Sequence, residues 1–199
     1  MNFVEPGYFA GLLSQLAMRS FKVVHVAVEC TTFSVATGCT YRTRTTPAGT
    51  PQTLSLPKGD PVYIKCQEGN AMAENAVKVF ETQERVGGLC SIENPKGSRL
   101  WDHPSFEGMM DRVINSRGLW ITETNYCAFG RSFRGSRWIL SNFETIKGVS
   151  RPCVHQGKRR HRKILAGHSE NCKKANPYPH GLVKLWAQAT AQACKCSNA

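Results

Sequence analysis

Acidic side chains are scarce in this chain: 14 Asp and Glu stand against 26 Lys and Arg in 199 residues, a formal charge of +12. That imbalance argues for polyanionic partners, with nucleic acid ahead of an anionic membrane surface. Long apolar runs are also lacking. No stretch reaches the roughly 18 uncharged apolar residues of a membrane span, so no membrane partner is expected. The amino terminus lacks the basic-then-apolar pattern of a secretion signal. No internal repeat is present. The nine cysteines have no regular spacing, which argues against a small secreted disulfide scaffold. They read as reduced thiols of an intracellular protein, and the basic run 158–163 leaves a nuclear location open.

What is present suits one globular domain, with 41% hydrophobic residues and enough length for a sizeable core. Apolar spacing predicts helices over 7–19, 70–86, 105–116 and 181–193. Strands are expected over 21–28, through the run ending at Glu93, over 119–124 and around 138–140. The tail Cys194-Lys195-Cys196 is expected to fray. This alternation predicts an α/β fold with a mostly parallel sheet and flanking helices. Residues 30–65 read as a long polar loop, and 151–179 as a basic irregular segment centred on Lys158, Arg159, Arg160, His161, Arg162 and Lys163.

The stretch Gly88-Leu89-Cys90-Ser91-Ile92-Glu93-Asn94-Pro95-Lys96-Gly97-Ser98-Arg99-Leu100-Trp101 organises the rest. A buried strand would deliver Glu93 and Asn94 to its carboxyl end, where Pro95 and Gly97 force a turn. In open α/β sheets that end is where ligands bind. Two readings stand side by side: a chemical carboxylate, or a strand cap paired with a nearby arginine. Cys30, at the end of the first strand, reads as a nucleophile or as a buried thiol. His25 reads as a satisfied core histidine.

Taken together, Cys30-Thr31-Thr32-Phe33-Ser34, Gly69-Asn70-Ala71-Met72-Ala73, Glu93-Asn94-Pro95 with Ser98, Leu100 and Trp101, Cys127-Ala128-Phe129-Gly130, and Ala175-Asn176-Pro177-Tyr178-Pro179 resemble the cytosine-5 DNA methyltransferase family. The likeness is to a divergent branch in which E-N-P replaces E-N-V. It spans roughly Val23 to Ala189. The resemblance implies a Rossmann-like methyltransferase fold, S-adenosylmethionine as cofactor, and DNA (or RNA) as substrate. It implies Cys30 as the nucleophile that adds to cytosine carbon 6 and Glu93 as the acid on ring nitrogen 3. Asn94 would fix the loop, and Arg134 or Arg137 would steady the base. Asn176 and Pro177 would close part of the donor pocket. Arg42, Arg44, Arg134, Lys158, Arg159, Arg160, Arg162 and Lys163 would hold the nucleic-acid backbone around an extruded base.

The pattern departs from the family in three places. Glu29 stands where the family has Pro. In the arginine motif, Phe133 replaces Gln and Gly135 replaces the first Arg, which leaves Arg137 aligned. Only about twenty residues precede the first strand, fewer than the roughly thirty of a βαβ unit. The glycine-rich donor turn is therefore expected from another chain or segment. Two alternatives remain: a catalytically inactive nucleic-acid-binding relative, or a zinc-bound basic module using Cys153, His155, His168 and Cys172.

Overall fold

A computed structural model describes residues 5–35, 41–153, 155, 161 and 177–196. Helix α1 (Pro6–Ala17) starts with proline in its first turn, where the missing N–H costs nothing. The edge strand β1 (Val23–Ala27) follows, and then a one-turn helix, α2 (Pro51–Leu54), capped by the Thr50 hydroxyl. Helix α3 (Pro61–Arg85) leads into the central strand β2 (Leu89–Pro95). After a pair of 3-10 turns come α4 (Glu107–Ile114), β3 (Trp120–Asn125), β4 (Ser136–Ser141) and the last helix, α5 (His180–Cys196).

The four strands form one sheet in the order β1-β2-β4-β3. β1 and β2 pair in parallel with Ala27 opposite Glu93. β4 runs antiparallel to both β2 and β3, so two of the three pairings are antiparallel. The expected mostly parallel sheet is corrected here: the fold is mixed α/β with flanking helices and a single parallel pair. The cause is the β3–β4 connection. The ten residues 126–135 are too few for a helical crossover, so the chain returns on itself. β1, β2 and β3 nonetheless share one direction, and their carboxyl ends lie along one edge.

Side chains alternate across the sheet as the two-residue period requires. Val24, Val26, Cys90, Ile92, Ile121 and Leu140 face the layer of α1, α3 and α4. Leu89, Trp120 and Ile139 face α5 and the 3-10 turn 144–149, with Ile146, Val149 and Leu182 buried between. Asn142 ties the entry of β2 to the exit of β4. Its carbonyl accepts from Cys90 N at 2.8 Å, and its amide donates to Gly88 O at 2.9 Å.

Two further expectations are corrected. Asp60 caps α3 through Val62 N at 2.7 Å with Pro61 behind it, so the helix starts nine residues before Asn70. Residues 51–54 and 61–65 of the expected 30–65 loop are therefore helix. Gly69, which disguises the continuity, is needed: a Cβ there would lie 2.6 Å from Thr32 Oγ1 and 2.7 Å from the Arg42 guanidinium. At the other end, α5 continues through Cys196 instead of fraying at Cys194. Among the described residues no helix is long and apolar enough to cross a membrane.

Asn142→Ala is expected to cost about 1–3 kcal/mol, because it removes a partner from the Cys90 amide of β2 and from the Gly88 carbonyl just ahead of it. Urea unfolding measures the loss.

Candidate functional site

Glu93 comes from the last turn of the ladder in β2 and is 6% exposed. Register places it opposite Ile139 of β4, and Arg137, two residues along, shares that face. The Arg137 Nε lies 3.3 Å from Glu93 Oε1. The Tyr178 hydroxyl, just ahead of α5, donates to Glu93 Oε2 at 2.9 Å. Arg137 also stacks over the Tyr126 ring at 5.0 Å. Burial pushes the Glu93 carboxyl above its ordinary value, against the opposing pull of Arg137 and Tyr178. Burial and the neighbouring Glu93 push the Tyr178 phenol up, so it stays a donor. Burial opposes the Arg137 charge, but Glu93, Tyr126, Cys30 and Tyr178 together raise its pKa.

That set locates Cys30 within electrostatic reach of the same guanidinium as Glu93. Cys30 lies three residues beyond Ala27, the strand partner of Glu93, and is half-buried. Phe33 N donates to Cys30 O at 3.1 Å, which turns the chain over the strand tips. Asn94 ties the two tips together: its amide donates to Val28 O at 2.7 Å. The residues after Asn94 complete the clamp. Ser98 Oγ caps the turn at Leu100 N, Arg99 N donates to Phe33 O at 2.9 Å, and the Trp101 indole donates to Pro95 O at 2.9 Å. Glu93 and Arg137 are thus in contact, and Asn94 ties their strand to Val28, two residues before Cys30. His25 has partners in Ser91 at 3.0 Å and Tyr178 at 3.4 Å.

Three residues that break the resemblance noted above, Gly135, Phe133 and Glu29, have defined local surroundings. Gly135 has φ +52°, and a Cβ would sit 2.9 Å from the Tyr126 ring, so no arginine fits there. Phe133 is buried against Tyr126. Glu29 is exposed and accepts the Thr31 hydroxyl.

The basic residues divide. Arg42 is buried rather than facing a nucleic acid: it donates to Pro47 O at 2.7 Å and to Cys66 O at 2.6 Å, and stacks on Phe33 at 4.2 Å. The expectation of a backbone contact there is corrected, since its charge binds the loop to α3. Arg44 and Arg134 are surface residues with side chains 81% and 56% exposed. Lys158, Arg159, Arg160, Arg162, Lys163 and Asn176 lie outside the described residues, as do His168 and Cys172. Pro177 is exposed, and its carbonyl accepts from Arg131 at 3.1 Å.

Sequence reasoning missed Tyr178, although it closes the quoted A-N-P-Y-P word. It also missed that, among the described residues, Cys127 and His161 gather with Cys153 and His155. A cleft lined by Arg19, Phe21, Lys22, Leu89 and Cys194 opens at the amino ends of β1 and β2, away from all these residues.

No family model, curated protein or solved structure matches this chain.

Arg137→Met is expected to cost about 3–5 kcal/mol at neutral pH, the cost of stranding a buried charge. A carboxyl whose folded pKa is raised contributes most below its unfolded pKa and loses that contribution as pH rises through the folded one. Removing the guanidinium raises the folded value further, so the loss should shrink in mild acid. Adding Glu93→Gln should largely restore the neutral-pH stability. Urea titrations at the two pH values read both effects.

Proposed function

We propose that this chain handles a cytosine base of a nucleic acid, with a site like that of the cytosine-5 methyltransferases. The observation that carries the reading is the Glu93–Arg137 pair between β2 and β4, with Cys30 just beyond the tip of β1, the parallel neighbour of β2, and within electrostatic reach of Arg137. Cytosine carbon 6 accepts a thiolate only if electrons can leave the ring toward nitrogen 3. A carboxyl held above its ordinary value by burial can protonate or hydrogen-bond that nitrogen as the sulfur adds. Arg137 lies within electrostatic reach of Cys30, and a cation there favours a thiolate. The S–C6 bond forms, the C5–C6 π pair shifts through the ring toward nitrogen 3, and Glu93 supplies the proton. Carbon 5 becomes the nucleophile.

The base must leave its stack to reach this edge, at a cost of a few kcal/mol. The +12 charge favours the phosphate contacts that offset it. Tyr178 stands on the oxygen that the base edge would use, so its hydroxyl must yield as the base enters.

S-adenosylmethionine is the donor that the resemblance implies, and the described residues do not fit it. The described chain ahead of β1 holds helix α1, not a strand and glycine-rich turn. No methyl-transfer step is assigned to this chain alone. A second chain or segment supplying the donor is the partner that full activity requires.

Adding and expelling Cys30 without a donor should exchange the hydrogen on carbon 5 with solvent. In heavy water, the wild-type chain is expected to place deuterium at cytosine carbon 5 of a single-stranded oligonucleotide. Cys30→Ser should abolish the exchange, and Glu93→Gln should slow it about a hundredfold. Salt-sensitive binding with no exchange by the wild type would reject the base chemistry and leave an inactive nucleic-acid binder, the reading that the sealed carboxylate favours.

A further inference from the structure

We propose that Cys127, Cys153, His155 and His161 bind one zinc ion in a closed, structural site. The four donor atoms lie within 4.8 Å of one another. Cys127 Sγ is 3.5 Å from Cys153 Sγ. Cys153 Sγ is 3.3 Å from His161 Nε2 and 3.9 Å from His155 Nδ1. Zinc–sulfur and zinc–nitrogen bonds of about 2.3 and 2.0 Å at tetrahedral angles put donor atoms about 3.3–3.8 Å apart. The three spacings from Cys153 Sγ, 3.3, 3.5 and 3.9 Å, fall within about 0.4 Å of such edges. Two sulfurs and two imidazoles select zinc over calcium or magnesium, which take oxygen donors. Four protein ligands leave no open position, so the role is structural, not Lewis-acid catalysis.

The fold brings these donors together for a definite reason. Arg151 bridges Thr124 alongside β3, and Asn125 N and its side-chain amide both donate to Arg151 O at 3.1 Å. Cys153 therefore lies two residues beyond one end of this bridge, and Cys127 three beyond the other. Cys127 sits in the 3-10 turn 126–129, held by its N–H to Arg134 O at 3.4 Å. The His155 and His161 rings lie 4.4 Å apart. Binding would send the two thiol protons to solvent. It would also fasten the turn carrying Tyr126 at Cys127. The inference stands apart from the base-handling reading, because it uses none of Cys30, Glu93 or Arg137.

The test is metal analysis of the full chain, purified under reducing conditions and supplied with zinc, followed by cobalt titration of the metal-free protein. One equivalent of zinc is expected, with the intense visible bands of tetrahedral thiolate-bound cobalt, and zinc should raise the thermal midpoint reversibly to chelator. Cys127→Ser and His161→Asn should each weaken cobalt binding by roughly 100-fold or more, beyond what loss of an outer hydrogen-bond partner costs. His168→Asn and Cys172→Ser should leave it unchanged. The wild-type titration needs no variant to fold. Absence of metal and of the cobalt bands would overturn the proposal. So would dependence on His168 and Cys172 in place of Cys127 and His161, or a Cys127–Cys153 disulfide in peptide maps of the reduced preparation.

Discussion

A carboxylate taken out of water has to be answered, and the meeting of Glu93 with Arg137 is the constraint around which the sheet edge is built. It explains several choices at once. β4 lies beside β2 in a register that puts Arg137 on the face of Glu93. Tyr126 lends its ring to the guanidinium, and Gly135 keeps the chain close enough for that ring to sit there. Tyr178 brings the start of α5 down onto the second carboxylate oxygen. One buried charge thus joins the sheet, the β3–β4 turn and the final helix.

The same edge carries both chemical groupings. The carboxyl ends of β1 and β2 present Cys30 and Glu93, and that of β3 leads directly into Tyr126 and Cys127. Adjacent residues therefore serve different ends: Tyr126 packs against Arg137, while Cys127 faces Cys153. The sheet direction brings this about, because strand tips that share one sense also share one rim.

Much of this was legible in the residues, for reasons that can be named. Apolar spacing located the strands and three of the helices within a few residues, because each buries one face; α3 starts nine residues ahead of its expected place and α2 was not expected. The E-N-P-x-x-S-x-L-W word marked a strand end, and its letters prove mechanical: Asn94 ties to Val28, Ser98 caps, and Trp101 reaches back to Pro95. The direction of β4 was not legible from its apolar run, which reads the same either way; only the shortness of the preceding connection carried it. Arg42 looked like a surface cation because its partners are uncharged: the carbonyls of Pro47 and Cys66 and the side chains of Asn70 and Thr32. His161 was hidden among lysines and arginines, and Cys127 stood 26 residues from its thiol partner.

The buried Arg42 has a kinetic corollary. It rivets the segment around Tyr41 to α3, while Arg99 N fastens Phe33 from the other side. The described chain between β1 and α3 is thus a fixed wall, not a hinged door. On the proposed reading, a base would therefore enter on the flank where the Tyr178 hydroxyl, just ahead of α5, covers Glu93.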